Sequence, residues 1–238
     1  MTALTVDLVD RYADWTWERA WETTYAFGRA GEKVFVKLAP AGQALPDEAQ
    51  RLRWAAPWLP VPAVVEYGTD GETDWLITRA LPGADATRHP WYAEDPGRLA
   101  ATLGLALKDF HRRVPPRECP FDFTVPSAVA HVKARLAAGL VLAGDVERLL
   151  ASVPEPSGEV VCHGDYCLPN VILTGDAVTG FVDLGRLAVA DPWSDLAIGA
   201  GSVIRNLGPG YDEAFFFAYG VDPDPDRLAW YRLLYDLS

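Results

Sequence analysis

Polar and apolar positions alternate in the first part of the chain and repeat at helical spacing in the second. In Lys33-Val34-Phe35-Val36-Lys37-Leu38 the alternation of lysine with β-branched and aromatic residues predicts a strand, and Ala39-Pro40-Ala41-Gly42 breaks it. Asp47 to Trp58 is rich in helix formers, with Ala49, Leu52 and Ala56 on one side, and Pro60 and Pro62 end that element. Val61 to Glu66 and Trp75 to Arg79 predict two strands joined by the turn Gly68-Thr69-Asp70-Gly71. Leu81-Pro82-Gly83-Ala84 then halts the sheet pattern.

Beyond that junction the period changes. Leu99, Leu103, Leu107 and Phe110 predict a long helix over Gly97 to Arg112, and Ser127 to Leu140 predicts another. Val160-Val161-Cys162 reads as a short buried strand. Val171 to Thr174 and Gly180 to Asp183 flank a turn and read as a hairpin, and the chain from Ser194 reads as helices. The expected organisation is α+β. A strand-rich lobe over residues 1–80 and a helix-rich lobe over residues 81–238 share a cleft.

The chemistry is concentrated in the hairpin region. His163-Gly164-Asp165 is followed by Asn170, and thirteen residues later by Asp183-Leu184-Gly185. This is the His-x-Asp-x-x-x-x-Asn spacing of a kinase catalytic loop, with an Asp-x-Gly after it. Phosphoryl transfer to an alcohol needs a group that orients and deprotonates the hydroxyl, oxygen ligands for Mg2+, and a cation on the α- and β-phosphates. Asp165 suits the first task. Asn170 and Asp183 suit the second. Lys37 on its strand suits the third, with Glu48 on the following helix as its partner. Each residue alone has a bland reading, since a helix glutamate is usually solvated. Their joint order is much rarer than its parts. Cys162, His163 and Cys167 do not follow a zinc-finger or zinc-ribbon spacing, so Cys162 reads as core and His163 as a brace for the loop.

Composition narrows the partners. The chain has 238 residues, half of them apolar and 23% charged, which describes a globular protein. A net charge of -12 argues against nucleic acid. Composition alone favours ordinary solubility charge, and the same excess suits a cationic small molecule. From Asp183 to Ser238 there are nine acids against four arginines. No apolar run approaches the ~20 residues of a membrane helix. Met1 to Asp7 lacks the basic and apolar regions of a signal peptide, and three cysteines make no disulfide framework, so a cytoplasmic enzyme is expected.

These residues resemble the aminoglycoside phosphotransferases, and the 3'-phosphotransferase (kanamycin/neomycin kinase) branch in particular. The resemblance rests on Val34-Phe35-Val36-Lys37, Asp47 to Trp54, Asp74-Trp75-Leu76, Leu81-Pro82-Gly83, Cys119-Pro120-Phe121-Asp122, Asp183 to Asp191 and Tyr231-Arg232-Leu233-Leu234, and runs from about Gly31 to the end. It implies a protein-kinase-like two-lobed fold and transfer of the γ-phosphate of ATP, with Mg2+, to an aminoglycoside hydroxyl. It further implies that Arg79 and Leu81 meet the adenine through their backbone and that Asp195 braces the catalytic loop through His163. Arg186, Asp236 and the terminal carboxylate of Ser238 would join Asp165 in holding the antibiotic.

The departures fall on the acceptor side. Gly201-Ser202-Val203 has no acid where the family usually offers one, and the acidic loop is shortened to about Leu140 to Val146, leaving Asp145 and Glu147 as stand-ins. The phosphate-covering loop, expected around Arg19 to Tyr25, has neither glycine nor a well-placed serine, so Thr23 and Thr24 take that place. Two alternatives follow: a kinase of another hydroxylated antibiotic or metabolite, and a nucleotide-binding homologue without transferase activity.

Overall fold

The structure is a computed structural model and describes residues 12–238, so the expectation placed on Met1 to Asp7 lies outside it. The described chain divides into two compact units. The first runs to Pro82 and also takes in Thr179–Gly185; the second comprises Gly83–Val178 and Arg186–Ser238. Beside the expected division at residue 80, the first unit ends at Pro82 and also holds the short stretch carrying Asp183.

In the first unit an antiparallel sheet has the order β1-β2-β3-β5-β4, built from β1 (Thr16–Trp21), β2 (Thr24–Arg29), β3 (Glu32–Pro40), β4 (Val64–Thr69) and β5 (Thr73–Arg79). On β3 the alternation has its physical basis in burial: Val34, Val36 and Leu38 point into a cluster with Tyr12, Phe27 and Ile77, which turns Lys37 to the other face. Helix α1 (Leu45–Ala55) buries Leu45, Glu48, Ala49, Leu52 and Ala55, the i, i+3, i+4, i+7 stripe of an amphipathic helix. Glu48 thus sits on the apolar face, not on the solvated one.

The second unit is mainly helical. It holds β6 (Ala84–Asp85), α2 (Trp91–Glu94), α3 (Pro96–Arg113), α4 (Val125–Ala137), α5 (Ala143–Leu150), β7 (Val160–Cys162), β8 (Val171–Thr174), β10 (Ala188–Ala190), α6 (Trp193–Leu207), α7 (Tyr211–Tyr219) and α8 (Pro225–Leu237). Strand β9 (Ala177–Phe181) is where the chain passes back to the first unit. Leu99, Leu103, Leu107 and Phe110 of α3 are fully buried, as their spacing predicts. Asp95 caps α3 by accepting from the Arg98 N–H at 3.1 Å. Strand β7 pairs antiparallel with β10, and β6 with β8. These pairings fix both ends of the loop that carries Asp165.

Helices α3 and α7 approach closely at Gly104, where a Cβ would collide with the Phe215 carbonyl. Gly104→Ala is expected to cost about 1–3 kcal/mol through overpacking, measurable as a lower urea midpoint. Alanine's better helix propensity, worth up to about 1 kcal/mol, is too small to reverse the sign.

Candidate active site

Three of the expected residues meet in the first unit. Lys37 Nζ donates to Glu48 Oε2 at 2.8 Å and to Oε1 at 3.0 Å, and lies 3.1 Å from Asp183 Oδ1. Burial alone would lower the Lys37 ammonium pKa, but Glu48 and Asp183 together outweigh it and hold it above its ordinary value. Burial pushes the Glu48 carboxyl up, with Lys37 opposing and Asp183 adding to the rise. The lysine therefore stays charged and is aimed by two carboxylates. Asp183 takes φ +62°, a left-handed conformation uncommon outside glycine, and its side chain is about half exposed (47%). It is not part of a strand, contrary to the expected hairpin through Asp183, because β9 ends at Phe181. Thr24 lies directly across from Lys37 in the β2–β3 register, and the Thr23 carbonyl accepts from the Leu38 N–H at 3.0 Å. The span Arg19 to Tyr25 is a hairpin turn with its flanking strand residues.

In the second unit the loop between β7 and β8 is held at every step. Asp195, fully buried at the start of α6, accepts from the His163 N–H at 2.7 Å, the Gly164 N–H at 2.8 Å and His111 Nε2 at 3.0 Å. The sequence expectation routed this brace through His163; the structure places it on the His163 backbone, with His111 as a partner that no local motif signals. Burial works to raise the Asp195 carboxyl pKa, yet the hydrogen bonds from His111 and from the His163 N–H bring it below the ordinary value. The His163 ring turns inward, its Nδ1 accepting from the Asp165 N–H at 3.3 Å. Gly164 has φ +84°, and a Cβ there would strike the Arg186 backbone, so glycine is required. Tyr166 anchors the loop to α3 by donating to the Leu103 carbonyl at 2.8 Å.

These constraints leave the Asp165 side chain partly exposed, with a donor on each oxygen. Asn170 Nδ2 lies 3.2 Å from Asp165 Oδ2 and 2.9 Å from its main-chain oxygen. The Tyr235 hydroxyl donates to Asp165 Oδ1 at 2.9 Å. Arg186 lies 4.4 Å over the Tyr235 ring and donates to Ser238 through Nη1 to Oγ (3.3 Å) and Nη2 to the main-chain oxygen (3.2 Å). Tyr235 escapes sequence reasoning because it stands 70 positions from Asp165 and reads as one more aromatic of a C-terminal helix.

Other expected acceptor residues are placed differently. Asp145 sits on α5, not in a loop, and pairs with Arg148 at 3.3 Å. Asp236 is exposed on α8. Ser202, where an acid was missed, is buried and accepts from the Leu168 N–H at 3.0 Å, so that position supports the catalytic loop. Among the described residues, the clustered metal-type ligands are His111, Cys162 and Asp195, not Cys162, His163 and Cys167. The Asp195 carboxylate in that cluster already holds three donors. Burial pushes the Cys162 thiol well above its ordinary range, which keeps it protonated and a poor ligand.

A strand lysine paired to a helix glutamate, an Asp-x-x-x-x-Asn loop pinned by a buried aspartate and a following Asp-x-Gly define a protein-kinase-like phosphotransferase. Residues 18–231 match the model of the phosphotransferase enzyme family. An aminoglycoside 3'-phosphotransferase of Streptomyces fradiae is 35% identical over 85% of this chain and 84% of its own length. The streptomycin 3''-kinase of Streptomyces griseus is 32% identical over 99% and 96%. The crystal structure of an aminoglycoside-3'-phosphotransferase of type VIII superposes with a TM-score of 0.85 at 31% identity, covering 96% of both chains. Aminoglycoside phosphotransferase APH(3'')-Id of Streptomyces rimosus, in complex with ADP and streptomycin, gives 0.77 at 29% identity over 100% and 98%. The chain belongs to the phosphotransferase enzyme family, among the aminoglycoside phosphotransferases.

Proposed function

We propose that the protein transfers the γ-phosphoryl group of ATP to the 3'-hydroxyl of an aminoglycoside and so confers resistance. The observation that carries this reading is Asp165, partly exposed and held by Asn170, in a chain of this family. Asp165 would orient the acceptor alcohol and take its proton as the oxygen bonds to the γ-phosphorus and ADP leaves with the bridging oxygen. Lys37, kept charged and aimed by Glu48, would neutralise the α- and β-phosphates. For the adenine, the Arg79 N–H is spent on Ala63 and the Ala80 N–H on Lys33, so a base edge would use the Arg79 carbonyl and the Leu81 N–H.

Oxygen donors suit Mg2+. Asn170 commits its amide nitrogen to Asp165 and keeps its side-chain oxygen, and the exposed Asp183 keeps Oδ2, so each offers an oxygen of the kind Mg2+ takes. Magnesium, when bound, supplies positive charge against the phosphate oxygens.

The 3'-phosphotransferase relatives support the 3' position. A second reading, the 3''-hydroxyl of streptomycin, draws on the match to the streptomycin 3''-kinase over 99% of the chain. Incubation with ATP and kanamycin, neomycin or streptomycin, followed by NMR of the product, separates them. Phosphate on the 3'-oxygen of kanamycin is expected. Product from streptomycin alone would replace the first reading by the second, and no product with any of the three would remove both. A polycationic acceptor meeting a protein of net charge -12 should also bind less well in salt, because exposed charges are screened over ~8–10 Å. Acceptor KM is therefore expected to rise several-fold between low and physiological ionic strength, and a flat response would remove the electrostatic part of the account.

A further inference from the structure

The Tyr235 hydroxyl makes with Asp165 the contact that an acceptor alcohol needs: an O–H donated to a carboxylate oxygen, here at 2.9 Å to Oδ1. With Asn170 on Oδ2, each oxygen of the base already has a donor. We infer that Tyr235 is a specificity-determining residue that stands in for the acceptor hydroxyl on Asp165, keeping water off the base until an acceptor alcohol displaces it. The inference rests on the reading of Asp165 as the base.

Three further observations support it. Burial together with the neighbouring Asp165 charge raises the Tyr235 phenol to about 12. Tyr235 therefore stays protonated and acts on the carboxylate as a donor throughout the working pH range, as an alcohol would and as a proton acceptor would not. The side chain is half-buried near the end of α8, where its hydroxyl reaches the partly exposed Asp165. Finally, the ring is held from one side by Arg186, 4.4 Å away, which itself bonds Ser238 at two atoms. The stand-in is thus a seated arrangement of Tyr235, Arg186 and Ser238, and its departure moves groups on the acceptor side. Water, smaller than a sugar and without its binding energy, gains nothing that would move the phenol. A stand-in of this kind weakens acceptor binding and suppresses wasteful hydrolysis of the nucleotide.

Tyr235→Phe tests the inference, because it removes only the hydroxyl and leaves the ring under Arg186. A hydrogen bond to a charged group is worth roughly tenfold in competition. The variant is expected to lower the acceptor KM about tenfold for kanamycin or streptomycin, whichever the enzyme uses, to change kcat less than threefold, and to raise acceptor-free ATP hydrolysis several-fold. An unchanged or raised acceptor KM would overturn the inference. So would a fall in kcat at constant KM, which marks a group that positions the base. Asp165→Asn and the double variant are measured alongside. In the Asp165→Asn background the phenylalanine should no longer raise hydrolysis, and the same rise there would place the action of Tyr235 elsewhere and overturn the inference. If Asp165→Asn alone keeps full transfer, the base reading fails first, and that failure is visible without reference to Tyr235.

Discussion

Asp165→Asn is expected to lower acceptor-dependent kcat about 100- to 10,000-fold, the range that a positioned general base contributes. The substitution keeps the side chain's size and one accepting oxygen, and the main-chain oxygen of residue 165 still accepts from Asn170, so the loop held by Asp195 should persist. Nucleotide affinity should change little, since Lys37, Glu48 and Asp183 lie in the other compact unit and are bonded to one another. Equal losses in kcat and kcat/KM for the acceptor, with an unchanged ATP dissociation constant, are the expected kinetic signature. A large loss of ATP binding in the same variant would mean that Asp165 acts on the nucleotide.

Asp195→Ala is expected to be the most destabilising of the single changes considered. It leaves the buried His163 N–H, the half-buried Gly164 N–H and His111 Nε2 without their acceptor. Orphaning several buried donors of which one is a potential cation costs about 3–5 kcal/mol, a large share of an ordinary domain's stability. The sign with pH follows from the shifted carboxyl. The Asp195 pKa is lower folded than unfolded, so its contribution is present above the ordinary aspartate value of ~3.9 and is lost as pH falls through the folded value. Urea denaturation should therefore show a wide gap between wild type and variant at neutral pH and a narrower one in acid. A constant gap would mean that the carboxylate charge plays no part.

The parts of the protein visible in the sequence are those whose physics is local. The alternation in Val34 to Leu38 is a burial pattern of one strand, and it turns Lys37 away from the Val36 side. The leucine spacing of α3 is the burial pattern of one helix. The loop from His163 to Asn170 is legible because its chemistry depends on a fixed number of residues. Elements without such a pattern are harder to read. Strand β1 is largely exposed along its length and shows no alternation, so the β1–β2 hairpin is not signalled. Helix α5 is eight residues long and contains Gly144, which favours the reading of an acidic loop. Glu48 looks like a solvated helix residue until the helix meets the sheet and its carboxylate meets Lys37.

Long-range partnerships escape altogether. The bond between Tyr235 and Asp165 and the bond between His111 and Asp195 join residues 70 and 84 positions apart. Neither pair has a spacing rule, since tertiary packing alone brings the groups together. Ser202 is the instructive case on the acceptor side. As a sequence position it reads as a missing acid, and as a buried hydroxyl it fixes the Leu168 N–H in the catalytic loop. The missing acid is therefore partly a change of job, and Tyr235, Arg186 and Ser238 are the groups held beside Asp165.

We propose that Asp165 deprotonates an aminoglycoside hydroxyl for attack on ATP. Phosphate transfer from γ-labelled ATP to kanamycin, neomycin and streptomycin, with wild type and Asp165→Asn compared at saturating nucleotide, tests this directly. Label is expected in one drug with wild type and to fall at least about 100-fold with the variant while ATP still binds. Label in no drug with wild type, or equal label with both proteins, would contradict the account.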